Sequence, residues 1–187
     1  MKIAVLGGRF DPPHLWHYWI AEQVLEHVPE IEQVWLMPAY KHPWKEFEAA
    51  PEDRWEMLKF LVTDKIRLSN LEIGRFNVSY TIDTVLRLKE DAANKYYWIV
   101  GSDAISDFSR WRESQKLAQM IEFLVFPRID YPIHILPNGF RKVDSPNLIL
   151  NNISSTKIRN RVKKGKSIKG LVFPGVEEYI KNKNLYK

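Results

Sequence analysis

His14 and His17 stand three residues apart behind the run Gly7-Gly8-Arg9-Phe10-Asp11-Pro12-Pro13, whose residue types suit the handling of phosphate. Two glycines allow a sharp backbone turn and a close approach to a ligand with no Cβ in the way. Asp11 followed by Pro12 reads as the N-cap and first position of a helix, with Pro13 tolerable in the first turn. Imidazoles at this spacing share one face near the helix start. Unpaired N–H groups and the positive end of the helix dipole point to the same place. Together they describe a polyphosphate site. A reading of the two histidines as metal ligands lacks a third ligand at suitable spacing, so no metal site is assigned.

The surrounding elements must bring that loop to a ligand. Lys2-Ile3-Ala4-Val5-Leu6 is a nearly continuous apolar run, as expected of a parallel strand buried on both faces. Trp16, Ile20, Val24 and Val28, with Ala21 and Leu25 beside them, carry a helical spacing over Leu15 to Val28, which Pro29 ends. Gln33 to Met37 is a second strand, Pro51 to about Thr63 a helix, and Ile66 to Ile73 a third strand. Ser79-Tyr80-Thr81 starts another helix, Tyr96 to Val100 is a fourth strand, Ser109 to Met120 a helix and Phe123 to Phe126 a fifth strand. Ile133–Leu136 and Leu148–Leu150 read as further short strands, followed by helices from Thr156 to about Lys164 and from Pro174 to about Asn184. This alternation predicts an α/β fold, a doubly wound Rossmann-like parallel sheet with helices on both faces, forming one domain over residues 1–187. Segments at Gly7, Lys41–Lys45, Gly101 and Ser154 each follow a predicted strand and should converge beyond the carboxyl ends of the sheet.

Composition excludes several classes of chemistry. The absence of cysteine rules out disulfides, thiolate zinc sites and a cysteine nucleophile. No signal-peptide layout and no apolar run of spanning length occur, so a cytoplasmic protein with no membrane partner is expected. From Lys157 onward ten Lys or Arg face only Glu177 and Glu178, so the basic excess is local. Such a tail can bind nucleic acid, but it equally serves as a solvated helix face beside a site for small anions. Self-association into a homo-oligomer is compatible with the chain, and nothing in the sequence sets its state.

Gly7 to His17 resembles the first signature of the HxGH nucleotidyltransferases, and Ile153-Ser154-Ser155-Thr156-Lys157-Ile158-Arg159 resembles their second, Ser-Ser-Thr-x-x-Arg. The two stand in the correct order, about 140 residues apart. The resemblance implies adenylyl transfer from ATP, with Mg2+ accompanying the triphosphate. It would place His14 and His17 on the ATP phosphates, with His17 stabilising the transition state. Gly7, Gly8, Phe10 and Gly101 would lie against ATP, and Asp103 would bind its ribose. Ser155, Thr156 and Arg159 would hold the β- and γ-phosphates. Lys45, in Pro43-Trp44-Lys45, resembles the family's Pro-His-Lys; contact with reacting phosphates and simple solvation stand level for it. The reaction suits these donors, because a phosphate nucleophile needs positioning and charge stabilisation more than a strong base.

Three further stretches resemble bacterial nicotinate-nucleotide adenylyltransferases. Ser79-Tyr80-Thr81-Ile82-Asp83-Thr84 is similar to their Ser-Tyr-Thr-x-Asp-Thr segment. Trp111 falls where a tryptophan stacks on the pyridine ring, and Arg128 where an arginine often follows the fifth strand. The resemblance implies ATP and a pyridine mononucleotide as partners, with nicotinate mononucleotide giving deamido-NAD; a nicotinamide-using enzyme that makes NAD directly is the alternative. An RNA-binding module with a synthetase-like fold is the rival from another class. Departures stand at Trp16, in place of the glycine of His-x-Gly-His, and at Arg9, in place of a threonine. Trp16 lines up with Ile20 and Val24 as core, yet lies next to His17; both placements are open to it.

Overall fold

The computed structural model describes residues 1–187 as a six-stranded sheet, all strands parallel, in the order β3-β2-β1-β4-β5-β6. The strands are β1 (Lys2–Gly8), β2 (Gln33–Pro38), β3 (Ile66–Leu68), β4 (Lys95–Gly101), β5 (Glu122–Phe126) and β6 (Phe140–Lys142). The helices are α1 (Leu15–His27), α2 (Pro51–Leu58), α3 (Thr81–Leu88), α4 (Ser114–Met120), α5 (Ser155–Lys163) and α6 (Pro174–Asn182). Order and direction match the expected doubly wound arrangement, with β1 and β4 as the central pair. No helix is long and apolar enough to cross a membrane.

Two apolar cores, one on each face of the sheet, explain the continuous hydrophobicity of the central strands. Ala4 and Leu6 of β1 point into a core shared with Trp16, Ile20 and Val24 of α1, Ile158 of α5 and Val176 and Ile180 of α6. Val5, one residue out of phase, points into the opposite core with Ile82 and Val85 of α3 and Leu117 of α4. A strand buried on both faces cannot show polar alternation.

Several expectations are corrected. α1 starts at Leu15, with His14 as N-cap, and not at Pro12. Asp11 cannot cap it, because its carboxylate accepts the backbone N–H groups of Glu48 and Ala49, at 2.8 and 3.1 Å. Gly7 and Gly8 continue the strand, and the left-handed turn falls on Phe10 (φ 50°). β3 stops at Leu68, where the chain turns away to bury Glu72; α2 gives way to a 3₁₀ turn at Lys59–Leu61. The helix expected over Ser109–Met120 is interrupted: Trp111 is extended and Glu113 left-handed, and α4 begins only at Ser114.

Neither Ile133–Leu136 nor Leu148–Leu150 is a strand. The sixth strand is Phe140–Lys142, whose Phe140 ring stacks on Phe123 of β5 at 4.4 Å. Arg141 pairs with Glu122 at 2.6 Å and with Glu30. A strand this short, with two cations in three residues, carries no apolar run to read. Ile149 lies beside Gln23 of α1, whose side-chain amide donates to its carbonyl (3.2 Å) and accepts its N–H (2.6 Å). A buried glutamine thus supplies what a neighbouring strand would.

Trp16 belongs to the core. It is 2% exposed, and its ring meets Phe126 of β5 edge-on at 5.4 Å. Trp16→Gly should therefore destabilise the protein by at least about 3–5 kcal/mol, the scale for truncating a buried aromatic. Denaturant unfolding measures it, and a loss below about 1 kcal/mol would place the indole outside the core.

Candidate active site

The carboxyl ends of the central strands carry the first signature. Gly7 at the end of β1 is required by proximity: a Cβ there would come within 2.6 Å of Trp98 Cζ2. After the turn at Phe10 the two histidines stack, ring centroids 3.7 Å apart and nearly parallel. The Phe10 ring, itself buried, lies 4.7 Å from His17. Phe10 is thus a platform beneath the histidines, its ring closed to a ligand in this conformation.

The hydrogen bonding at this helix start fixes a tautomer. The His14 backbone N–H donates to His17 Nδ1 at 3.2 Å, so neutral His17 carries its proton on Nε2. The first helical N–H, that of Leu15, donates to the Leu171 carbonyl at 3.0 Å. The expectation that this helix start offers its unpaired N–H groups is narrowed accordingly: imidazole donors replace part of what the backbone would supply. His14 Nδ1 is buried with no partner.

Both imidazoles are held neutral. Burial, then His17 and Arg128, keeps His14 well below its ordinary value. Burial, helped by Arg128, lowers His17 to about 3. Arg9 is also held below its ordinary value, by burial and then by Arg159. The cations around the first loop therefore repel one another, as suits a polyanion site that is preorganised before its ligand arrives.

Asp11 ties the second signature and the chain terminus to this loop. Its carboxylate accepts the Tyr186 hydroxyl at 2.8 Å, beside the two loop amides. Its carbonyl accepts from Arg159 Nη1 at 2.8 Å, while Arg159 Nε donates to Glu48 at 2.8 Å. The Ser155 hydroxyl donates to the Pro12 carbonyl at 2.8 Å. Ser154 caps α5, accepting from the Lys157 N–H, and Thr156 is exposed. Arg54, fully buried, donates to the carbonyls of Arg9 (2.9 Å) and Tyr40 (3.2 Å) and lies over the Phe47 ring. Sequence reading missed Arg54, since an arginine on an amphipathic helix reads as surface.

On the other side of β1 lies a half-open cleft. Ser79, Tyr80, Thr81 and Trp111, grouped by the sequence reading, all line it, and so do Gly7 and Gly8, which that reading set against ATP. The Ser79 hydroxyl accepts the Tyr40 N–H at 3.0 Å, and the Ser79 N–H donates to the Lys41 carbonyl, bracing the Lys41–Lys45 loop. His42, Trp98, Glu72 and Arg112 also line the cleft and were not singled out in the sequence. Lys45 is exposed and lines a neighbouring hollow within its own loop, not this cleft.

Arg128 does not line the cleft either. Its Nη1 donates to Asp103 at 2.8 Å, and its backbone N–H to Ser102 Oγ. Gly101 permits that pair, because a Cβ there would sit 2.3 Å from Asp103 Oδ1 and 3.1 Å from Arg128 Cδ. No three His, Asp or Glu side chains gather into a metal-holding group, and three donors occupy the Asp11 carboxylate.

Comparison with known proteins identifies this arrangement. Residues 5–161 match the cytidylyltransferase-like family. A probable nicotinate-nucleotide adenylyltransferase from Synechococcus sp. (strain JA-2-3B'a(2-13)) is 38% identical over 199 residues, covering 99% of this chain and 96% of that protein. One from Shouchella clausii is 35% identical over 190 residues, covering 99% and 96%. The chain belongs to the nicotinate-nucleotide adenylyltransferase family. Among solved structures, nicotinic acid mononucleotide adenylyltransferase from Plasmodium falciparum, complexed with NaAD, superimposes with a TM-score of 0.86 at 25% identity. That match covers 99% of this chain and 97% of the other. The same enzyme complexed with APC gives a TM-score of 0.83. The family's two signatures correspond to the two segments that Asp11 joins.

The tautomer and burial of His17 carry a measurable consequence. An unfolded chain protonates histidine near pH 6.5, whereas the fold keeps His17 neutral down to about 3. Between those values the unfolded state binds more protons, so stability falls as pH drops through the interval. His17→Asn should flatten the loss of unfolding free energy between about pH 7 and pH 5. An unchanged slope would mean that His17 takes up its proton alike in the folded and the unfolded chain.

Proposed function

We propose that this chain transfers the adenylyl group of ATP to nicotinate mononucleotide, giving deamido-NAD and pyrophosphate. A phosphate oxygen of the mononucleotide attacks the α-phosphorus of ATP. The bond from that phosphorus to the bridging oxygen breaks, and pyrophosphate leaves with its electron pair. No proton has to be removed from the nucleophile, so the side chains act by orienting two anions and stabilising charge.

His17 Nε2–H and His14 donate to the α-phosphate region as neutral imidazoles, and a phosphate dianion beside them favours their protonation as charge develops. Arg159, engaged through Nε and Nη1, turns Nη2 to the β- and γ-phosphates. Ser155, Thr156 and the start of α5 join it there. Asp103, oriented by Arg128, receives the ATP ribose, and Arg128 acts through Asp103 and through its charge near the histidines, not on the pyridine. For Lys45, exposed on its loop, a phosphate contact rests on the family resemblance alone. Magnesium accompanying ATP would offset the charge of its phosphates, with the triphosphate itself as its main ligand.

The mononucleotide lies in the cleft with its pyridine on Trp111 and its carboxylate at the Tyr80–Thr81 helix start. The observation that carries this reading is the adjacency of that aromatic cleft to the paired histidines, with Gly7 between them. Donors facing both carboxylate oxygens favour the acid, because an amide would present NH₂ to one of them. The basic tail is a solvated flank of the ATP site, and a cytoplasmic setting accords with the reaction.

Pyrophosphate release from ATP with a panel of mononucleotide and pantetheine-phosphate acceptors tests the proposal. Nicotinate mononucleotide should exceed nicotinamide mononucleotide by roughly 10–100-fold in kcat/KM, the scale of one mismatched donor. His17→Ala should lower that turnover by roughly 10²–10⁴-fold with the fold intact. An acid-to-amide ratio at or below one would favour the nicotinamide reading. RNA binding with steep salt dependence and no pyrophosphate release would favour the rival binding module.

A further inference from the structure

Arg112 follows Trp111 directly and lines the same cleft as Tyr80, Thr81 and Glu72. Its guanidinium lies over the Tyr80 ring, 4.9 Å from the centroid. Its nearest carboxylate is that of Asp83, at 3.6 Å, with both side chains about half exposed. That separation exceeds a charge-assisted hydrogen bond, and an exposed pair of this kind contributes little and exchanges readily. The aromatic face meanwhile holds the planar guanidinium over the cleft and limits the rotamer freedom lost on binding.

The cleft is also lined by a carboxyl group, Glu72, that a carboxylate ligand must meet. Glu72 is 4% exposed, and its carboxylate accepts the Thr84 hydroxyl at 2.7 Å. Arg75 donates to that same Thr84 hydroxyl at 2.8 Å and not to Glu72. Burial pushes the Glu72 carboxyl up, with Thr84, Arg75 and the Ser79 hydroxyl acting the other way. A second carboxylate entering beside Glu72 requires a compensating cation on the open side of the cleft. α3 begins there without a side-chain cap, which supplies dipole but no net charge.

We propose that Arg112 is a specificity-determining residue that turns from Asp83 to the carboxylate of an acidic pyridine mononucleotide, offsetting Glu72 and favouring the acid over the amide. The inference rests on the reading of this cleft as the mononucleotide site. An uncharged carboxamide gains nothing from the guanidinium, so the effect falls on the ratio between the two ligands and not on ring stacking.

Calorimetric titration of the full-length protein with nicotinate mononucleotide and with nicotinamide mononucleotide, in wild type, R112Q and R112K, tests it. The acid-to-amide affinity ratio should fall about tenfold in R112Q and be largely retained in R112K. A ratio unchanged in R112Q, or lowered as far by R112K as by R112Q, overturns the role of this charge while leaving the cleft's reading in place. Wild-type protein that binds neither mononucleotide overturns both.

Discussion

The buried carboxylate of Asp11 is the constraint on which the rest of the site depends. A carboxylate 1% exposed is costly unless its oxygens are fully engaged, and here two backbone amides and a phenol engage them. The partners come from far along the chain: the loop at Glu48–Ala49 and Tyr186 next to the last residue. With the Arg159 bond to the Asp11 carbonyl, one residue joins both signatures, the loop after β2 and the C-terminal segment. Arg54 supports the same junction from inside, through the carbonyls of Arg9 and Tyr40. The geometry of the histidines is thereby decided by packing and hydrogen bonds made before any ligand binds.

The sheet explains why these pieces can meet. In a parallel sheet every strand ends on the same side, so the loops after β1, β2, β4 and β5 emerge together. Gly7 and Gly101, at the ends of neighbouring strands, allow side chains to cross in front of the sheet where a Cβ would block them. On one side of this line stand the histidines with Arg9, Arg128 and Arg159; on the other lies the aromatic cleft of Trp98 and Trp111. A cationic half and an aromatic half meeting at one strand end suit the joining of a triphosphate to a pyridine mononucleotide.

Much of this was legible in the sequence, for identifiable reasons. The buried central strands β1, β2, β4 and β5 announce themselves as apolar runs, α1 by its apolar spacing and α5 by its serine cap. Ser79, Tyr80, Thr81 and Trp111 were found as motif residues, and the cleft unites them. What escaped has long-range causes. Asp11 looked like a local helix cap because its true partners lie 37, 38 and 175 residues away. β6 is recognisable only through the ring of Phe123 opposite Phe140, and the backbone of Ile149 is held by the side chain of Gln23 instead of by a strand. Glu72 and Arg54 are buried ionisable side chains, which hydrophobic patterning assigns to the surface.

The central claim is that the Asp11 carboxylate holds the Glu48–Ala49 loop and, through it, the second signature in place. Amide hydrogen exchange at Glu48 and Ala49, compared between wild type and Asp11→Asn with the β1 amides as internal reference, measures this most directly. Protection should fall toward that of exposed loops at one of the two amides at least while β1 stays protected, because Asn keeps one acceptor oxygen and sets an NH₂ donor against the other N–H. Unchanged protection at Glu48 and Ala49 would contradict the claim.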